Sequence, residues 1–372
     1  MTDRAMRPMR AAVFRRPKDP LSIETVSILE PGPGEVLVRM LASGVCHSDL
    51  HVVEGEWDAP AGVVLGHEGC GVVEAVGPDV AGVSEGDRVV LNWLSPCGEC
   101  AGCRAGTPWV CTGTRALENL MPDGSTRLFA ADGSPVLAYL GLGTFGELAV
   151  VPSQAAVPVP KDVPAEVAAL IGCCVTTGVG AVLRTAEVPA GACVVVVGLG
   201  GVGLSIVMGA VLAGAGRIVV VDRIPDKLDR ARQLGATDAI EAGDPEATVE
   251  AIRRATDGGA DYAFEAIGLA TTIDVVLRSL RTGGTGVLVG MTPLGVRASF
   301  DAFDLVDRSL RILGSNYGFG VPHEDFPRYS ELFLEGRLPI DRMIDERIGL
   351  GDVNRALAAL RVGEGARRVI VY

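Results

Sequence analysis

The sequence predicts an α/β protein with two domains, a mostly antiparallel, barrel-like β domain followed by a doubly wound parallel sheet. Its 372 residues favour two domains over one. Up to about residue 150, short β-rich pieces alternate with turns rich in Pro and Gly. From about residue 190, strands alternate with helical stretches, which is typical of βαβ units.

Composition narrows the classes of partner and compartment. The hydrophobic fraction is 48%, the charged fraction is 21% and the net charge is -13. An acidic surface disfavours nucleic acid and anionic membranes, which bind basic patches. No apolar segment follows the polar start of the chain, and no apolar run reaches the ~20 residues of a membrane span. We therefore expect a cytoplasmic protein that acts on small molecules.

In the first domain, turn signals at 31–34, 77–79 and 85–87 separate the strands. The predicted strands are 10–14, 35–42, 69–76 and 88–91. Residues 112–146 read as one long, polar, Gly-rich loop, and loops of that length are usually functional. The last residues, 367–372, read as a strand that returns to the first domain.

In the second domain, apolar runs of strand length alternate with helical patterns. The predicted strands are 193–197, 218–222, 260–265 and 286–290, and the predicted helices are 202–214 and 226–234.

Four cysteines lie close together in the first domain, at Cys97, Cys100, Cys103 and Cys111. Four thiolates at this spacing can surround one ion tetrahedrally, as in a closed structural zinc site. Two disulfides or four unrelated thiols are the alternatives, but disulfides need an oxidising compartment. The pattern predicts a structural zinc.

The first strand of the second domain runs into a Gly-x-Gly-x-x-Gly fingerprint, formed by Gly198, Gly200, Gly201, Val202 and Gly203. Such glycines allow a tight turn and a close approach of the backbone to a pyrophosphate at the start of the next helix. The motif predicts a dinucleotide site.

The next strand ends in Asp222, where a carboxylate can bind the adenosine ribose hydroxyls and repel a 2′-phosphate. NAD is therefore favoured over NADP, although the adjacent Arg223 could pair with a phosphate. Lys227 is a second candidate ribose ligand, with an exposed helix lysine as the alternative.

Three further motifs carry a family resemblance. They are Gly-Val-Cys-His-Ser-Asp at 44–49, Gly-His-Glu-Gly at 66–69 and Gly-Cys-x3-Thr-Gly at 172–178. With the four-cysteine segment and the glycine fingerprint, they resemble the zinc-dependent medium-chain alcohol dehydrogenases over essentially the whole chain. The resemblance implies a GroES-like β-barrel catalytic domain at 1–177, a Rossmann NAD-binding domain at 178–318 and a return to the catalytic domain at 319–372.

The same resemblance implies the catalytic metal site. Cys46, His67 and Cys173, rather than its neighbour Cys174, would ligate a catalytic zinc, two Cys and one His being a known catalytic set. Glu68 would be a carboxylate near the metal. Asp49 would orient His67 through the second imidazole nitrogen.

Other roles implied by the resemblance concern proton transfer and the cofactor. Ser48 would meet the substrate oxygen, and His51 would end a proton relay. Thr177 would lie against the nicotinamide, and Arg367 would bind the pyrophosphate. His47 stands where many members have a pyrophosphate-binding arginine, so a neutral His47 would weaken that grip.

Trp57, Trp93 and Met291 are expected, by the same resemblance, to line the substrate pocket. We expect an NAD-dependent zinc alcohol dehydrogenase that reversibly oxidises a primary, or an aromatic or secondary, alcohol. A thiol-dependent formaldehyde dehydrogenase shares the long 112–146 loop, but Trp57 and Trp93 argue against its polar pocket. A nicotinoprotein that retains NAD(H), suggested by residues 121–125, and a non-catalytic NAD(H) sensor are the remaining alternatives.

Assembly is also open to prediction. By resemblance, residues 311–318 lie at the edge of the parallel sheet, and an unprotected apolar edge invites pairing with its copy across a two-fold axis. The long 112–146 loop resembles that of dimeric members, so we expect a homodimer.

Overall fold

A computed structural model describes residues 4–372 and divides them into two compact units. The first unit runs up to Cys173 and also includes Val321–Gly336 and Ile344–Tyr372. The second unit consists of Cys174–Gly320 and Arg337–Met343.

A closed five-stranded barrel forms one half of the first unit. The long hairpin of Met6–Phe14 with Ser22–Leu29 is its largest part, and the inward side chains Met9, Ala11 and Val13 are buried. In order around the barrel, the strands are Met6–Phe14, Ser22–Leu29, Leu128–Phe129, Pro135–Ala138 and Val63–Val64.

A seven-stranded sheet forms the other half of the first unit. Its central strand, Glu35–Gly44, pairs with Glu68–Val76, with Leu148–Pro152 and with the C-terminal strand Arg367–Val371. The remaining strands are Arg88–Leu91, Ala156–Pro158 and Ile344–Ile348. The central strand is paired along both edges and is therefore held firmly. The chain that follows it, from Val45 onward, starts from a fixed position.

The prediction of an unstructured loop at 112–146 was wrong. The segment contains the strands Leu128–Phe129 and Pro135–Ala138, which complete the barrel. Strands this short show no alternation in sequence. Their position is fixed by the buried Arg127, whose guanidinium binds the Glu35 carboxylate and the Asp123 carboxylate. Both partners also accept further hydrogen bonds, so the buried charges are paired.

The second unit is built on a six-stranded parallel sheet. In spatial order its strands are Asp238–Glu241, Arg217–Asp222, Cys193–Val197, Ala260–Glu265, Leu280–Leu288 and Arg311–Gly314. Numbered along the chain this is the order 3-2-1-4-5-6 of a doubly wound fold. The predicted fold class, a β-barrel domain with a doubly wound parallel sheet, is confirmed.

Helices connect these strands, and several begin at residues that favour helix starts. Pro225 and Pro245 occupy the first helical turn of their helices, and the Asp244 carboxylate accepts the Ala247 N–H. The helices are His47–Glu54, Ala101–Arg104, Ala165–Leu170, Thr176–Gly180, Gly201–Leu212, Pro225–Gln233, Pro245–Ala255, Ala270–Arg278, Ala302–Asp307, Pro322–Leu334 and Val353–Arg361.

Residues 165–185 form a continuous helical run in which α and π turns alternate. The expectation that no apolar stretch reaches the length of a membrane span was wrong, because this run meets that length and composition. Its most apolar window is 78% buried within the protein, as in the core helix of a folded domain.

Candidate active site

The four cysteines of the predicted structural zinc site lie in one lobe of the first unit. Their sulfur atoms all lie within 4.8 Å of one another. Cys100 precedes the short helix Ala101–Arg104, which carries Cys103, and the two sulfurs are 3.6 Å apart. That separation is far longer than a disulfide bond, and none of the nine cysteines of the chain forms a disulfide. The lobe therefore has the donor set and the compactness of a tetrahedral metal site.

Backbone N–H groups of the lobe donate hydrogen bonds to two of its sulfur atoms. The Cys97 sulfur accepts the N–H of Cys100 at 3.4 Å, and the Cys111 sulfur accepts the N–H of Cys97 at 3.3 Å. The backbone N–H of Cys103 lowers the pKa of Cys100 to about 5. Burial and the neighbouring sulfurs raise the pKa of Cys103 to about 12. A cation would relieve that crowding of negative charge, because metal binding deprotonates coordinating thiols.

A second cluster lies deep in the same unit and joins residues from three separate segments. One ligand atom each of Cys46, His67, Glu68 and Cys173 lies within 4.8 Å of the others. Cys46 precedes the helix His47–Glu54, and His67 ends the turn that leads into strand Glu68–Val76. Cys173 lies in the π-helical turn Ile171–Val175, and single π turns are frequent at functional sites.

The Asp49 carboxylate holds the first two segments together. It is completely buried and accepts the backbone N–H of Cys46 at 3.1 Å and that of Gly66 at 3.0 Å. The same oxygen that binds Gly66 lies 3.3 Å from Nδ1 of His67. Gly66 has a φ of +87°, and a Cβ there would collide with Phe145, so only glycine fits this turn. Asp49 thus contacts the His67 nitrogen that the family resemblance implies, and its orienting role stays a prediction.

His67 has the properties of a metal ligand. Its ring is 1% exposed, Nδ1 faces Asp49, and Nε2 is buried with no hydrogen-bond partner among residues 4–372. Burial opposes a charge on the ring, but the charges of Asp49 and Cys46 outweigh it and raise the pKa of His67 well above its usual value. An unpartnered buried imidazole nitrogen beside two sulfurs fits a zinc ion, which would occupy the space facing Nε2.

Glu68 and Arg367 form a buried ion pair next to this cluster. The Glu68 side chain is 0% exposed, and that of Arg367 is 5% exposed. Burial raises the pKa of Glu68 to about 8, although the Arg367 guanidinium opposes the shift. Gly44 lies against both groups, and a Cβ there would overlap the Glu68 carboxylate. Arg367 thus binds Glu68, and its role at a pyrophosphate stays a prediction.

Tyr139 is a site residue that the sequence analysis missed. Its ring meets that of His67 edge to face at 5.7 Å, and its hydroxyl donates to the Ser48 carbonyl at 3.4 Å. Burial raises the pKa of Tyr139 well above its usual value, so the hydroxyl stays protonated and can donate. No motif marks this residue, because it lies in the segment that the sequence presents as a loop.

The predicted relay residues lie along the helix His47–Glu54. The Ser48 hydroxyl is 3.8 Å from the Cys46 sulfur, beside the cluster. The His51 ring lies 5.5 Å from that of the exposed His47 and stacks on Trp57 at 4.5 Å. Glu56, which the sequence analysis did not single out, contacts Nδ1 of His51.

The predicted pocket residues have different surroundings. Trp57 packs against the apolar cluster that contains Phe14, and Trp93 packs against the cluster around Leu91. Met291 belongs to the second unit, and its side chain is 60% exposed. A pocket role for all three stays a prediction.

The glycine fingerprint opens the helix Gly201–Leu212 in the second unit. Gly198 has a φ of +94°, and a Cβ on Gly203 would overlap the Gly198 carbonyl, so the turn needs both glycines. The Asp222 carboxylate accepts the N–H of Leu199 at 2.8 Å and that of Ile224 at 3.0 Å. These contacts hold the carboxylate beside the glycine turn, where a ribose can reach it.

Three other predicted cofactor residues are also in the second unit. Arg223 is exposed beside Asp222, and Lys227 is half-buried on the following helix. Thr177 is half-buried on the helix Thr176–Gly180, separate from the fingerprint in sequence.

Two family models match the chain. Residues 32–161 match the alcohol dehydrogenase GroES-like domain, and residues 201–335 match the zinc-binding dehydrogenase domain.

Relatives match over nearly the full length. An S-(hydroxymethyl)glutathione dehydrogenase of Paracoccus denitrificans is 37% identical, over 98% of this chain and 99% of its own. An alcohol dehydrogenase zinc-binding domain protein of Burkholderia ambifaria has 38% identity and a TM-score of 0.93, over 99% of both chains. Benzyl alcohol dehydrogenase of Acinetobacter calcoaceticus has 32% identity and a TM-score of 0.89, over 98% of this chain and 99% of its own.

The deep cluster predicts the outcome of one substitution and its neighbouring control. Cys173→Ser should remove one zinc per chain and reduce turnover to background, because an open site with three protein ligands serves the reaction more than the scaffold. Cys174→Ser, one residue along the same turn, should keep both ions. The two variants are distinguished by the zinc content per chain, measured by plasma mass spectrometry, together with the initial rate of turnover. If Cys174→Ser is the variant that loses metal, the ligand assignment is off by one residue.

The four-cysteine lobe predicts the opposite behaviour. Its few apolar side chains cannot order it, so the metal must supply the ordering free energy. Cys103→Ser should lower the melting temperature by about 5 °C, because a loss of ~4 kcal/mol is divided by an unfolding entropy of ~0.8 kcal/mol/K for 372 residues. Turnover at low temperature should stay near normal. An unchanged melting curve with loss of turnover would mean that the two metal sites have been assigned the wrong way round.

Proposed function

The chain belongs to the zinc-dependent medium-chain alcohol dehydrogenase family, and we propose that it oxidises the primary hydroxyl of an S-(hydroxymethyl) thiol adduct with NAD. The buried cluster of Cys46, His67 and Cys173, with the Ser48 hydroxyl at its side, supports the reaction type. The 37% identity to S-(hydroxymethyl)glutathione dehydrogenases over almost the entire chain supports the substrate class.

This order of hypotheses reverses the one drawn from the sequence. The sequence analysis preferred a general primary alcohol, because Trp57 and Trp93 offer carbon surface rather than polar contacts. The relatives favour the thiol-adduct alternative instead. A thiol adduct of formaldehyde still presents one small primary hydroxyl to the cluster, so the reacting groups are the same in both hypotheses.

Each residue of the site has a defined task in this reaction. Cys46, His67 and Cys173 would hold a zinc ion, which would supply Lewis acidity that favours loss of the hydroxyl proton. Ser48 accepts a hydrogen bond from the substrate hydroxyl and passes its proton towards His51, which acts as the base. Asp49 keeps Nδ1 of His67 engaged, so that Nε2 faces the metal. Tyr139 fixes the Ser48 backbone.

NAD is the proposed hydride acceptor. The support is the glycine fingerprint and the Asp222 carboxylate, which is held by two backbone N–H groups and would repel a 2′-phosphate. Lys227 and Arg223 stand close to it in sequence, and Thr177, His47 and Arg367 are the further cofactor residues we propose. Nine cysteines without a disulfide support the proposed cytoplasmic location, where cysteines stay reduced.

An aromatic primary alcohol is the second candidate substrate. The indole of Trp57 lies next to His51, and a benzyl alcohol dehydrogenase is among the solved relatives at 32% identity. An aromatic ring would find carbon surface there, whereas a charged thiol conjugate needs polar contacts.

A substrate panel separates these hypotheses. Formaldehyde with glutathione, formaldehyde alone, benzyl alcohol and ethanol should be offered with NAD, and NADH formation followed by absorbance. We expect the thiol to raise the rate with formaldehyde by about tenfold or more, because formaldehyde presents the primary hydroxyl of the proposed substrate only after a thiol has added to it. Equal rates with and without thiol, with faster benzyl alcohol oxidation, would favour the second candidate. Stoichiometric NAD(H) in the purified protein would indicate a nicotinoprotein. Bound zinc without turnover on any of these would indicate the sensor.

We also propose a homodimer formed through the second unit. The strand Arg311–Gly314 is the edge of the parallel sheet, and the nearby side chains of Phe300, Phe303 and Val306 are 50%, 77% and 77% exposed. Apolar surface next to an unpaired strand edge favours pairing with a second copy. Light scattering at micromolar concentration should give twice the mass of the chain, and a monomer or a tetramer would contradict this assembly.

A further inference from the structure

The chain beyond the relay helix folds back onto His51. Gly55, at a φ of +74°, ends the helix His47–Glu54 in the left-handed conformation. The backbone N–H groups of Glu56 and Trp57 then both bind the His51 carbonyl, at 2.9 and 3.2 Å. Pro17 lies against Gly55, so a larger residue at the turn would meet it. The two side chains that follow the helix are therefore fixed beside the imidazole.

Both of these side chains hold the ring. The Glu56 carboxylate lies 2.5 Å from Nδ1 of His51. The Trp57 indole stacks on the imidazole at 4.5 Å, with 20° between the planes. As a result only 11% of the His51 side chain is exposed, while 41% of the Glu56 side chain is exposed.

The contact determines which nitrogen can act as a base. An ionised carboxylate only accepts hydrogen bonds, so Nδ1 must carry the hydrogen and Nε2 keeps its lone pair. When Nε2 takes up a proton, the imidazolium that forms has a carboxylate already in contact. His67 and Asp49 have the same relation in the metal cluster, where Asp49 also faces Nδ1.

We propose that Glu56 is a positioning residue of the proton relay, which holds His51 as the Nδ1–H tautomer and stabilises its protonated form, while Trp57 fixes the ring plane. The inference rests on the proposed dehydrogenase function. The proton that leaves the substrate hydroxyl is taken up at Nε2 and then released to water, so His51 and Glu56 return to their starting states after each turnover.

Other titratable side chains also lie near His51. On its own helix these are His47, 5.5 Å away ring to ring, and Glu54. Arg361, from the packed helix Val353–Arg361, binds Glu54 through two guanidinium nitrogens. Glu54 therefore offers a matched control, a carboxylate at the end of the same helix whose partner is not His51.

Kinetics test the proposal with the zinc-loaded protein and NAD. Glu56→Ala should lower kcat for oxidation roughly tenfold near neutral pH, less at high pH where hydroxide replaces the base, and leave the KM for NAD unchanged. Glu56→Asp should recover part of the loss, and Glu54→Ala should behave as wild type. In a His51→Gln background, Glu56→Ala should have no further effect, because it acts through the imidazole.

A second measurement is independent of turnover. The 15N shifts of the His51 imidazole should show hydrogen on Nδ1 in the wild type and a mixture of tautomers in Glu56→Ala. Equal losses in Glu54→Ala and Glu56→Ala, additive losses with His51→Gln, or an unchanged tautomer would overturn the proposal. Absence of turnover in the wild type with the tautomer shift intact would instead count against the proposed function alone.

Discussion

The candidate active site depends on one buried carboxylate. Asp49 binds the backbone N–H of Cys46, the backbone N–H of Gly66 and Nδ1 of His67. Cys46 precedes a helix and His67 precedes a strand, so the Asp49 side chain sets the distance between the two ligand segments. Because it contacts Nδ1 of His67, it also leaves Nε2 as the nitrogen available to a metal. A carboxylate without these donors would be costly to bury, and the backbone N–H groups offset that cost. The sharp turn at Gly66 brings the Gly66 N–H, the second of these donors, within hydrogen-bonding distance of Asp49.

Charge balance is the second constraint on this region. Cys46, Asp49, Glu68 and Cys173 gather potential negative charges in a volume that contains one buried guanidinium, Arg367. The directions of the pKa shifts reflect this excess of negative charge. The pKa of Glu68 is raised by burial, which favours its neutral form, and the pKa of His67 is raised by Asp49 and Cys46, which favours its positive form. A divalent cation at Nε2 of His67 would remove this excess. The four-cysteine lobe has a similar crowding of charge, because the pKa of Cys100 is lowered while that of its neighbour Cys103 is raised.

Local patterns were predictable from the sequence, and long-range ones were not. The four cysteines and the glycine fingerprint each lie within a short stretch, so spacing alone indicates their chemistry. Cys46, His67 and Cys173 are far apart in the chain, and only family resemblance joined them. The strand predicted at 286–290 is observed as Leu280–Leu288. Gly283 and Gly284 lie in its first half, and glycines in a sequence indicate a turn rather than a strand. Tyr139, the π turn at Cys173 and the contact of Glu56 with His51 leave no periodic signal, since each depends on how the chain folds back.

We expect His67 to bind the metal through Nε2, because Asp49 contacts Nδ1. Anomalous X-ray diffraction at the zinc absorption edge, on crystals of the zinc-loaded protein, tests this directly. Two anomalous peaks per chain are expected, one surrounded by the four sulfurs of the lobe and one contacting Cys46, Cys173 and Nε2 of His67, with Asp49 still on Nδ1. A single peak, or an ion bound through Nδ1 of His67 or through Cys174, would contradict the account.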